Sequence, residues 1–448
     1  MQGAMGGRGL FGRALSGGAL TAGSYAISQA LRLASNLVLT RLLFPEAFGV
    51  MALVSVVLIG LAMFSDTGIG PAISRSVRGD ERGFLDTAWT INVVRGLLLW
   101  LVTCAVAWPV AHLYAVPELA QLLPVAGLTL LIAGFNPTRI DTANRHLMLG
   151  RLTALDLLSQ AIGILAMVML ALAMRSVWAL VIGALIGSTA KLVLCWLFLP
   201  GEANRFAWER ASGRELLHFG KWIFLSSACG FLLSQGDKAV LGAHLSLADL
   251  GIYNIGYFLA SFPMLLAAAV VSRIMIPLYR DHPPAASAQN TARLARLRRA
   301  ISLSVLAMLA AMAVAGGPLV ALMYDARYHT AGVLVTAIAM AQMPAVVGLT
   351  YEHSALAAGD GRGFFLLQAA RATVQTLAFL IGVQLAGLGG ALLAQGLALT
   401  LVHPLIARLA WRHGAWDMRH DLQIFALVLA LIAALTAVYG PELLELVT

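Results

Sequence analysis

The amino-acid sequence predicts an all-α polytopic membrane protein with about thirteen transmembrane helices (12–14), arranged in two six-helix lobes around a central cavity. Three observations support this fold class: 60% of the 448 residues are hydrophobic and only 11% are charged, apolar runs recur along the chain, and basic residues concentrate in alternate loops. A soluble domain is roughly 45–50% apolar and about 25% charged. The composition therefore excludes a soluble enzyme, a disordered protein and a fibrous protein.

The predicted spans follow the apolar runs, since a bilayer core takes about 20 residues of helix. They cover 20–43, 48–74, 86–113, 119–142, 152–174, 176–199, 216–244, 250–279, 300–323, 330–358, 364–386, 388–411 and 423–440. The first apolar stretch is too long for the core of a signal peptide and contains Arg32. We therefore expect it to be a retained first span.

Basic residues predict the orientation, because cytoplasmic loops are enriched in Lys and Arg. With the N-terminus inside, twenty of the 30 Lys and Arg residues fall in inside segments, and only Arg41, Arg175 and Arg327 fall in outside ones. We therefore expect a cytoplasmic N-terminus. This distribution also accounts for most of the net charge of +9 without a nucleic-acid partner.

The longest loop, at about 280–299, ends in a basic run. The run contains Arg293, Arg296, Arg298 and Arg299. We expect these arginines to form a surface helix on anionic headgroups, and a dedicated partner site is the alternative.

An internal repeat predicts the two lobes. Residues 43–50 and 245–252 share a leucine, an acidic residue, an apolar residue, a glycine and an aliphatic residue in the same order. Six spans separate the copies, so both run in the same direction and the repeat is parallel. The predicted domains are an N-terminal lobe over 1–199, a cytoplasmic inter-lobe loop over 200–215, a C-terminal lobe over 216–411 and an extra C-terminal span over 412–448.

Eleven charged residues lie well within the predicted spans, where each costs about 2.5–3.5 kcal/mol at the bilayer centre. The basic ones are Arg32, Arg95, Lys191, Lys221, Lys238, Arg273 and Arg371, and the acidic ones are Asp66, Asp156, Asp237 and Glu352. They indicate a polar or water-filled interior with an excess of positive charge. Lys221, Lys238 and Arg273 lie close enough to span ends to reach headgroups instead.

The first span carries a polar stripe at helical spacing. It consists of Tyr25, Ser28, Gln29, Arg32, Ser35 and Asn36. The repeat places Ser234 and Lys238 at corresponding positions of span seven. Two interpretations stay open: both faces line a common cavity between the lobes, or the small polar residues hydrogen-bond neighbouring helices.

A cationic cavity favours an anion, since Arg binds phosphate as a bidentate fork and Lys as a point charge. A drug-cation exporter would need an acidic, aromatic site instead, for which Asp66, Asp156 and Glu352 are available. The sequence contains no Walker A or GxSxG motif, and its histidines lack metal-ligand spacing. We therefore predict that the protein is not an enzyme and holds no metal or cofactor, although a proton or sodium ion is a candidate coupling ion.

Three segments resemble the polysaccharide flippases (Wzx-type, WzxC-like branch) of the multidrug/oligosaccharidyl-lipid/polysaccharide exporter superfamily. They are RLLFPEAFG at 41–49, FSDTGI at 64–69 and DTAWTINVVRG at 86–96. The motif resemblance covers mainly residues 36–100, and the two-lobe plan extends it over about 1–411. The branch often has fourteen helices, so the chain departs from it at the last span.

The resemblance implies a flippase in the bacterial inner membrane that moves an undecaprenyl-diphosphate-linked glycan between leaflets by alternating access, for exopolysaccharide, capsule or O-antigen synthesis. Under this hypothesis Arg32, Arg95, Lys238 and Arg273 attract the diphosphate, with Lys191 and Arg371 in support. Asp66, Asp156, Asp237 and Glu352 would pair with basic residues or couple ions. Membrane lipid, a polysaccharide polymerase and glycosyltransferases are the implied partners.

The alternative from the same superfamily is a cation-coupled multidrug antiporter. A membrane-bound polymerase or ligase is a third class, but such enzymes need a large extracytoplasmic loop, and the outside loops here are only a few residues long.

Overall fold

The computed structural model describes residues 23, 26–66, 68–146, 148–281, 283–444 and 446, with the backbone alone at 217–225, 273, 277 and 285. Every regular element in these ranges is a helix, and they contain no strand, which confirms the all-α class. Within them, eight helices are long and apolar enough to cross a membrane, or up to ten if two bent helix pairs are counted as spans. The count of thirteen stays a prediction.

The chain forms two compact units, Met1–Ala228 and Cys229–Thr448. The helices that begin in the first unit are α1 (26–42), α2 (Pro45–Phe64), α3 (Ile69–Arg75), α4 (Arg82–Leu113), α5 (Leu119–Gly134), α6 (Arg139–Arg145), α7 (Leu149–Met174), α8 (Trp178–Phe198) and α9 (Arg210–Gly242). The boundary between the units falls inside α9.

The second unit continues with eight helices in the described part of the chain. They are α10 (Leu247–Ala260), α11 (Phe262–Asp281), α12 (Ala288–Met323), α13 (Thr330–Gln342), α14 (Ala345–Gly348), α15 (Glu352–Ala357), α16 (Gly361–Arg412) and α17 (Met418–Leu444). Short 3₁₀ turns at Pro284–Ala286 and Ala326–Tyr328 precede α12 and α13.

Three of the predicted spans are interrupted beside a proline. Pro137 lies in the 57° break between α5 and α6, and Pro344 lies in the 43° break between α13 and α14. Pro263 is the second residue of α11, directly after the end of α10. Proline lacks a backbone N–H and disfavours the helical conformation of the residue before it, so the helix ends there. These prolines divide spans into two arms, whereas Pro109, Pro318 and Pro404 lie inside continuous helices.

Helix α16 is two helices joined by a sharp reversal. Ala386 and Gly387 have non-helical backbone angles, and Gly387 has φ of 53° and ψ of −141°, a conformation that glycine adopts because it has no Cβ. The reversal separates the two predicted spans 364–386 and 388–411. Beside it, a Cβ on Gly390 would collide with the carbonyl oxygen of Gly382, so the two arms pack backbone to backbone.

Helix α17 covers the predicted extra span 423–440 and belongs to the core of the second unit. Its Ile424, Val428 and Leu435 are buried in one cluster with Leu309 of α12 and Met340 of α13. Burial of such a side chain contributes about 1.5–3 kcal/mol. Apolar packing therefore holds this last helix against the second unit.

Residues 200–209, which precede α9, lie on the first unit. The backbone N–H of Arg205 donates to Asp86 Oδ1 at 3.1 Å, and that of Glu209 donates to Thr87 Oγ1 at 3.0 Å. Arg78 Nη2 donates to Glu209 at 2.8 Å. Hydrogen bonds from Ser212 and then Arg78 lower the pKa of the Glu209 carboxyl. The segment is thus fixed by side chains of α4 and the loop before it.

Glycines set the close approach of α7 and α8. A Cβ on Gly163 would lie 3.0 Å from the Cα of Gly187, and one on Gly183 would lie 2.9 Å from the Cα of Met167. Small residues let membrane helices pack backbone to backbone, where apolar burial provides little driving force. The two helices that carry Asp156 and Lys191 are therefore held at a short, fixed distance.

We expect Gly183→Ala to lower the free energy of unfolding by about 1–3 kcal/mol, because the added methyl collides with backbone of α7. Gly317→Ala is the matched control, since nothing lies within 4 Å of a Cβ there, and a helical alanine gains about 0.5–1 kcal/mol over glycine. Thermal unfolding of the detergent-solubilised protein measures both. Equal melting temperatures for the two variants would contradict the assigned glycine contact.

Candidate functional site

The charged residues predicted within the spans lie on several helices, and four of them form two ion pairs. One pair joins α7 and α8 of the first unit, and the other joins α15 and α16 of the second. Each pair lies wholly within its own unit.

In the first unit, Lys191 of α8 pairs with Asp156 of α7. The distance from Nζ to Oδ1 is 2.8 Å, and the two side chains remain 39% and 54% exposed. The contact follows from the α7–α8 glycines, because Lys191 lies one helical turn beyond Gly187 and Asp156 lies two turns before Gly163. Charged groups this exposed on apolar helices are costly against lipid, so the pair requires water or polar ligand beside it.

The polar stripe of α1 meets α7 next to this pair. Ser28 Oγ donates to Gln160 Oε1 at 2.7 Å, and Gln160 Nε2 donates back to the carbonyl of Ser28 at 3.1 Å. Gln160 lies one turn beyond Asp156 on α7. For Ser28, the structure therefore supports hydrogen bonding between helices, the second of the two interpretations of the stripe.

Arg32 lies one turn beyond Ser28 on α1 and is exposed. Among the described residues it has no hydrogen-bond or ion-pair partner. Asn36 is half-buried, and its carbonyl accepts a hydrogen bond from Thr40. Gln29 is half-buried on the same helix, and Tyr25 lies outside the described residues. Arg32 is thus an exposed cation on a helix that sequence hydropathy places in the membrane.

Arg95 of α4 binds the C-terminal end of α2. Its Nη2 donates to the carbonyl of Ala62 at 2.7 Å, and its Nε donates to Ser65 Oγ at 3.0 Å. A guanidinium satisfies carbonyl groups that a helix end leaves without partners. Asp66 follows this end, is exposed, and accepts a hydrogen bond from the Gly68 N–H at 2.9 Å. This turn divides the predicted span 48–74 into α2 and α3.

In the second unit, two residues of α9 contact tyrosines of α10. Tyr253 Oη donates to Asp237 Oδ2 at 2.8 Å, and Lys238 Nζ lies 5.5 Å from the centre of the Tyr257 ring. A cation over an aromatic face is stabilised by about 0.5–2 kcal/mol. Ser234, one turn earlier, is exposed, and its Oγ donates to the Phe231 carbonyl at 3.4 Å. The α9 face is thus partly occupied by α10.

The second ion pair joins Arg371 and Glu352. Arg371 Nη1 lies 2.8 Å from Glu352 Oε1, with the side chains 24% and 14% exposed. Gln368 Nε2 also donates to Glu352, at 3.5 Å. The side chain of Arg273, which the sequence also predicts in the site, lies outside the described residues. Arg371 is therefore largely neutralised, in contrast to Arg32.

A polar cluster in the second unit, buried except at Trp416 and Asp417, was not predicted from the sequence. It contains Arg298, Ser302, Tyr351, His403, Trp416, Asp417, His420 and Asp421. Placing Arg298 on lipid headgroups was wrong: α12 already begins at Ala288, and the Arg298 side chain is 3% exposed. It donates to Tyr279 Oη and to the Ala415 carbonyl, each at 2.8 Å. Helical spacing is the signal that could have separated it from the exposed Arg296 and Arg299.

The fold is that of a polytopic helical membrane protein with charged side chains on its apolar helices. A multidrug resistance transporter of the MATE family in the MOP superfamily, in an inward-facing conformation, matches with a TM-score of 0.65 over 90% of this chain and 95% of that chain. The lipid II flippase MurJ, in an inward closed conformation, matches with a TM-score of 0.67 over 94% and 92%. Both are 14% identical to this chain, so they establish the fold.

The chain belongs to the polysaccharide biosynthesis protein family, whose model matches residues 38–332. It is 24% identical over 242 residues to the succinoglycan biosynthesis transport protein ExoT of Rhizobium meliloti, covering 54% of this chain and 49% of the relative. It is 22% identical over 215 residues to the teichuronic acid biosynthesis protein TuaB of Bacillus subtilis, covering 48% and 44%. The chain matches about half the length of these relatives. The resemblance read from residues 36–100 is thereby confirmed.

The Lys191–Asp156 pair predicts a non-additive pair of substitutions. Asp156→Asn leaves Lys191 without its anion and should lower the thermal stability and the amount of inserted protein. Adding Lys191→Gln should recover most of the loss, with a coupling of about 1 kcal/mol for a half-exposed pair. Thermal unfolding of the two single variants and the double variant measures the coupling. Strictly additive effects would show that the two charges do not interact.

Proposed function

We propose that this protein is a flippase that moves a lipid-diphosphate-linked oligosaccharide across the bacterial inner membrane by alternating access. Its product would supply exopolysaccharide, capsule or O-antigen synthesis. The proposed cargo is an undecaprenyl-diphosphate-linked glycan, delivered by glycosyltransferases and passed on to a polysaccharide polymerase. Family membership supports the pathway, and the fold fits a protein that carries a lipid-linked substrate.

The observation that carries the proposal is the exposed cationic surface of α1 in the first unit. Arg32 is exposed and has no ion-pair partner among the described residues. An arginine at this depth is costly unless an anion or water reaches it. A diphosphate fits such a group well, because its oxygens accept the two parallel hydrogen bonds of a guanidinium. Lys191 of α8, which is paired with Asp156 of α7, would attract the diphosphate more weakly.

The other predicted cations have protein ligands that limit their role. Arg95 binds carbonyl and hydroxyl oxygens at the end of α2, and Arg371 is paired with Glu352. Under the proposal, Arg95 and Arg371 stabilise helix contacts. Lys238 contacts the diphosphate of the cargo only if it leaves the Tyr257 ring. A multidrug antiporter has the same fold, but a surface with an exposed arginine repels the cations that it would carry.

We expect Arg32→Ala to abolish export of the glycan while the protein still inserts, because the diphosphate loses its bidentate donor. Arg32→Lys should retain part of the activity, since it keeps the charge without the planar fork. The measurements are surface glycan, the lipid-linked intermediate that accumulates inside, and the amount of protein in the membrane.

Arg362→Ala is the matched control, because it removes an exposed arginine from the first turn of α16 and should leave export unchanged. Normal export by Arg32→Ala would remove the centre of the proposed site. Resistance to cationic drugs in a strain lacking its own exporters, without any effect on glycan, would favour the antiporter instead. Reporter fusions to the N-terminus test the proposed cytoplasmic location.

A further inference from the structure

The carboxylate of Asp421 is surrounded by four donors in the second unit. Oδ1 accepts from Tyr351 Oη at 2.6 Å and from His420 Nδ1 at 3.1 Å. Oδ2 accepts from His403 Nε2 and Trp416 Nε1, each at 2.9 Å. An ionised carboxylate offers about four lone-pair positions, so these donors satisfy it completely. Both histidines therefore direct an N–H toward Asp421.

The two histidines differ at their second ring nitrogen. His420 Nε2 lies 3.0 Å from Ser302 Oγ, so both of its nitrogens are engaged. His403 is only 8% exposed, and its Nδ1 is buried with no hydrogen-bond partner among the described residues. In neutral His403 the ring proton is on Nε2, which donates it to Asp421. Its Nδ1 is therefore unprotonated and carries a lone pair. His403 is thus the member of the cluster that can accept a proton.

His403 borders a small cavity that is also lined by the Glu352–Arg371 ion pair. Gly348, Glu352, Arg371 and His403 are among its lining residues. The cavity leaves about 10 Å³ for the centre of a water molecule, which is room for about one water. A lipid headgroup does not fit in this space. In the described part of the chain, no group of three His, Cys, Asp or Glu residues is placed to hold a metal ion.

The surrounding charges favour a proton at this place. Asp417 and Asp421 of the α17 end and Glu352 of α15 contribute three negative charges, and Arg298 of α12 and Arg371 of α16 contribute two positive ones. The cluster has one negative charge in excess while the histidines are neutral. One proton on His403 brings this sum to zero.

We propose that His403, oriented by Asp421, is a proton-binding site that opens to the cavity lined by Glu352 and Arg371. A proton taken up at Nδ1 places a positive charge in that cavity, where it competes with Arg371 for the Glu352 carboxylate. The proton also strengthens the contact between the second arm of α16 and α17, because protonated His403 forms an ion pair with Asp421. The occupancy of one proton thus affects contacts among α15, α16 and α17.

Proton uptake tests the site without reference to transport. The purified full chain in detergent is shifted from pH 8 to pH 5.5 in weakly buffered solution, and a pH-sensitive dye counts the protons bound. We expect His403→Gln to take up about one proton fewer than the wild type, since glutamine keeps the hydrogen bond to Asp421 but cannot be protonated there.

Gly348→Ala should show the same loss of about one proton while every titratable group remains, because the added methyl fills the space of the water that would hydrate a protonated Nδ1. The methyl would lie 3.6 Å from His403 Nδ1 and 2.9 and 3.3 Å from the Cδ1 and Cγ2 methyls of Ile406. Gly317→Ala, where nothing lies within 4 Å, should bind as many protons as the wild type. Wild-type uptake by His403→Gln, or by Gly348→Ala if His403→Gln does not fold, would overturn the proposal.

A second measurement asks whether the proton affects transport, and it rests on the proposed function. Flipping of a lipid-diphosphate-linked glycan is followed in vesicles between pH 5.5 and 8. The wild type should depend on pH across this range and His403→Gln should not. If the wild type flips no such lipid, the flippase proposal fails. The proton-uptake measurement still tests the His403 site independently.

Discussion

The cost of placing a charge in an apolar bundle governs the structure of this protein. Each ionised side chain on an apolar helix must bind a counter-ion, a carbonyl end or water, since an isolated charge is costly there. The described helices show the first two solutions: Arg95 binds the end of α2, Arg371 pairs with Glu352, and Lys191 pairs with Asp156. Arg32 has none of these protein partners among the described residues. Its exposure is therefore the informative exception.

The helices and their approximate bounds follow from the sequence because the length of an apolar run and its flanking polar residues determine a membrane helix. The reversal at Gly387 and the extra helix α17 lie where the apolar runs predict them. The breaks that divide the predicted spans 48–74, 119–142, 250–279 and 330–358 were not predicted. A short polar interruption such as Asp66–Gly68 changes average hydropathy little, although an aspartate and a left-handed glycine end a helix locally.

The site could be predicted only in its residue types. Depth along a helix identifies Arg32, Lys191 and Glu352 as costly, but it does not indicate which partner each will find. Pairing depends on helix rotation and separation, and between α7 and α8 these depend on Gly163, Gly183 and Gly187, whose contacts are known only once the helices are packed. The cluster around Asp421 was not predicted, for a related reason. His403, His420 and Arg298 lie near span ends, where an interfacial position is the usual expectation. They are buried instead, and His403 and Arg298 bind Asp421 and the Ala415 carbonyl at or near the start of α17.

The two units use charge differently, and this difference bears on mechanism. In the first unit, Arg32, Lys191 and Asp156 keep much of their surface exposed, as the proposed binding and release of a hydrated anionic ligand requires. In the second unit, Arg298, His403 and Asp421 are buried in a closed network, where a ligand larger than a water molecule has no access. A proton is the ion that such a network can take up with small movements of its side chains. Because an added charge in a buried network changes the balance among existing pairs, it can alter helix contacts, whereas a charge on an exposed surface is screened by water.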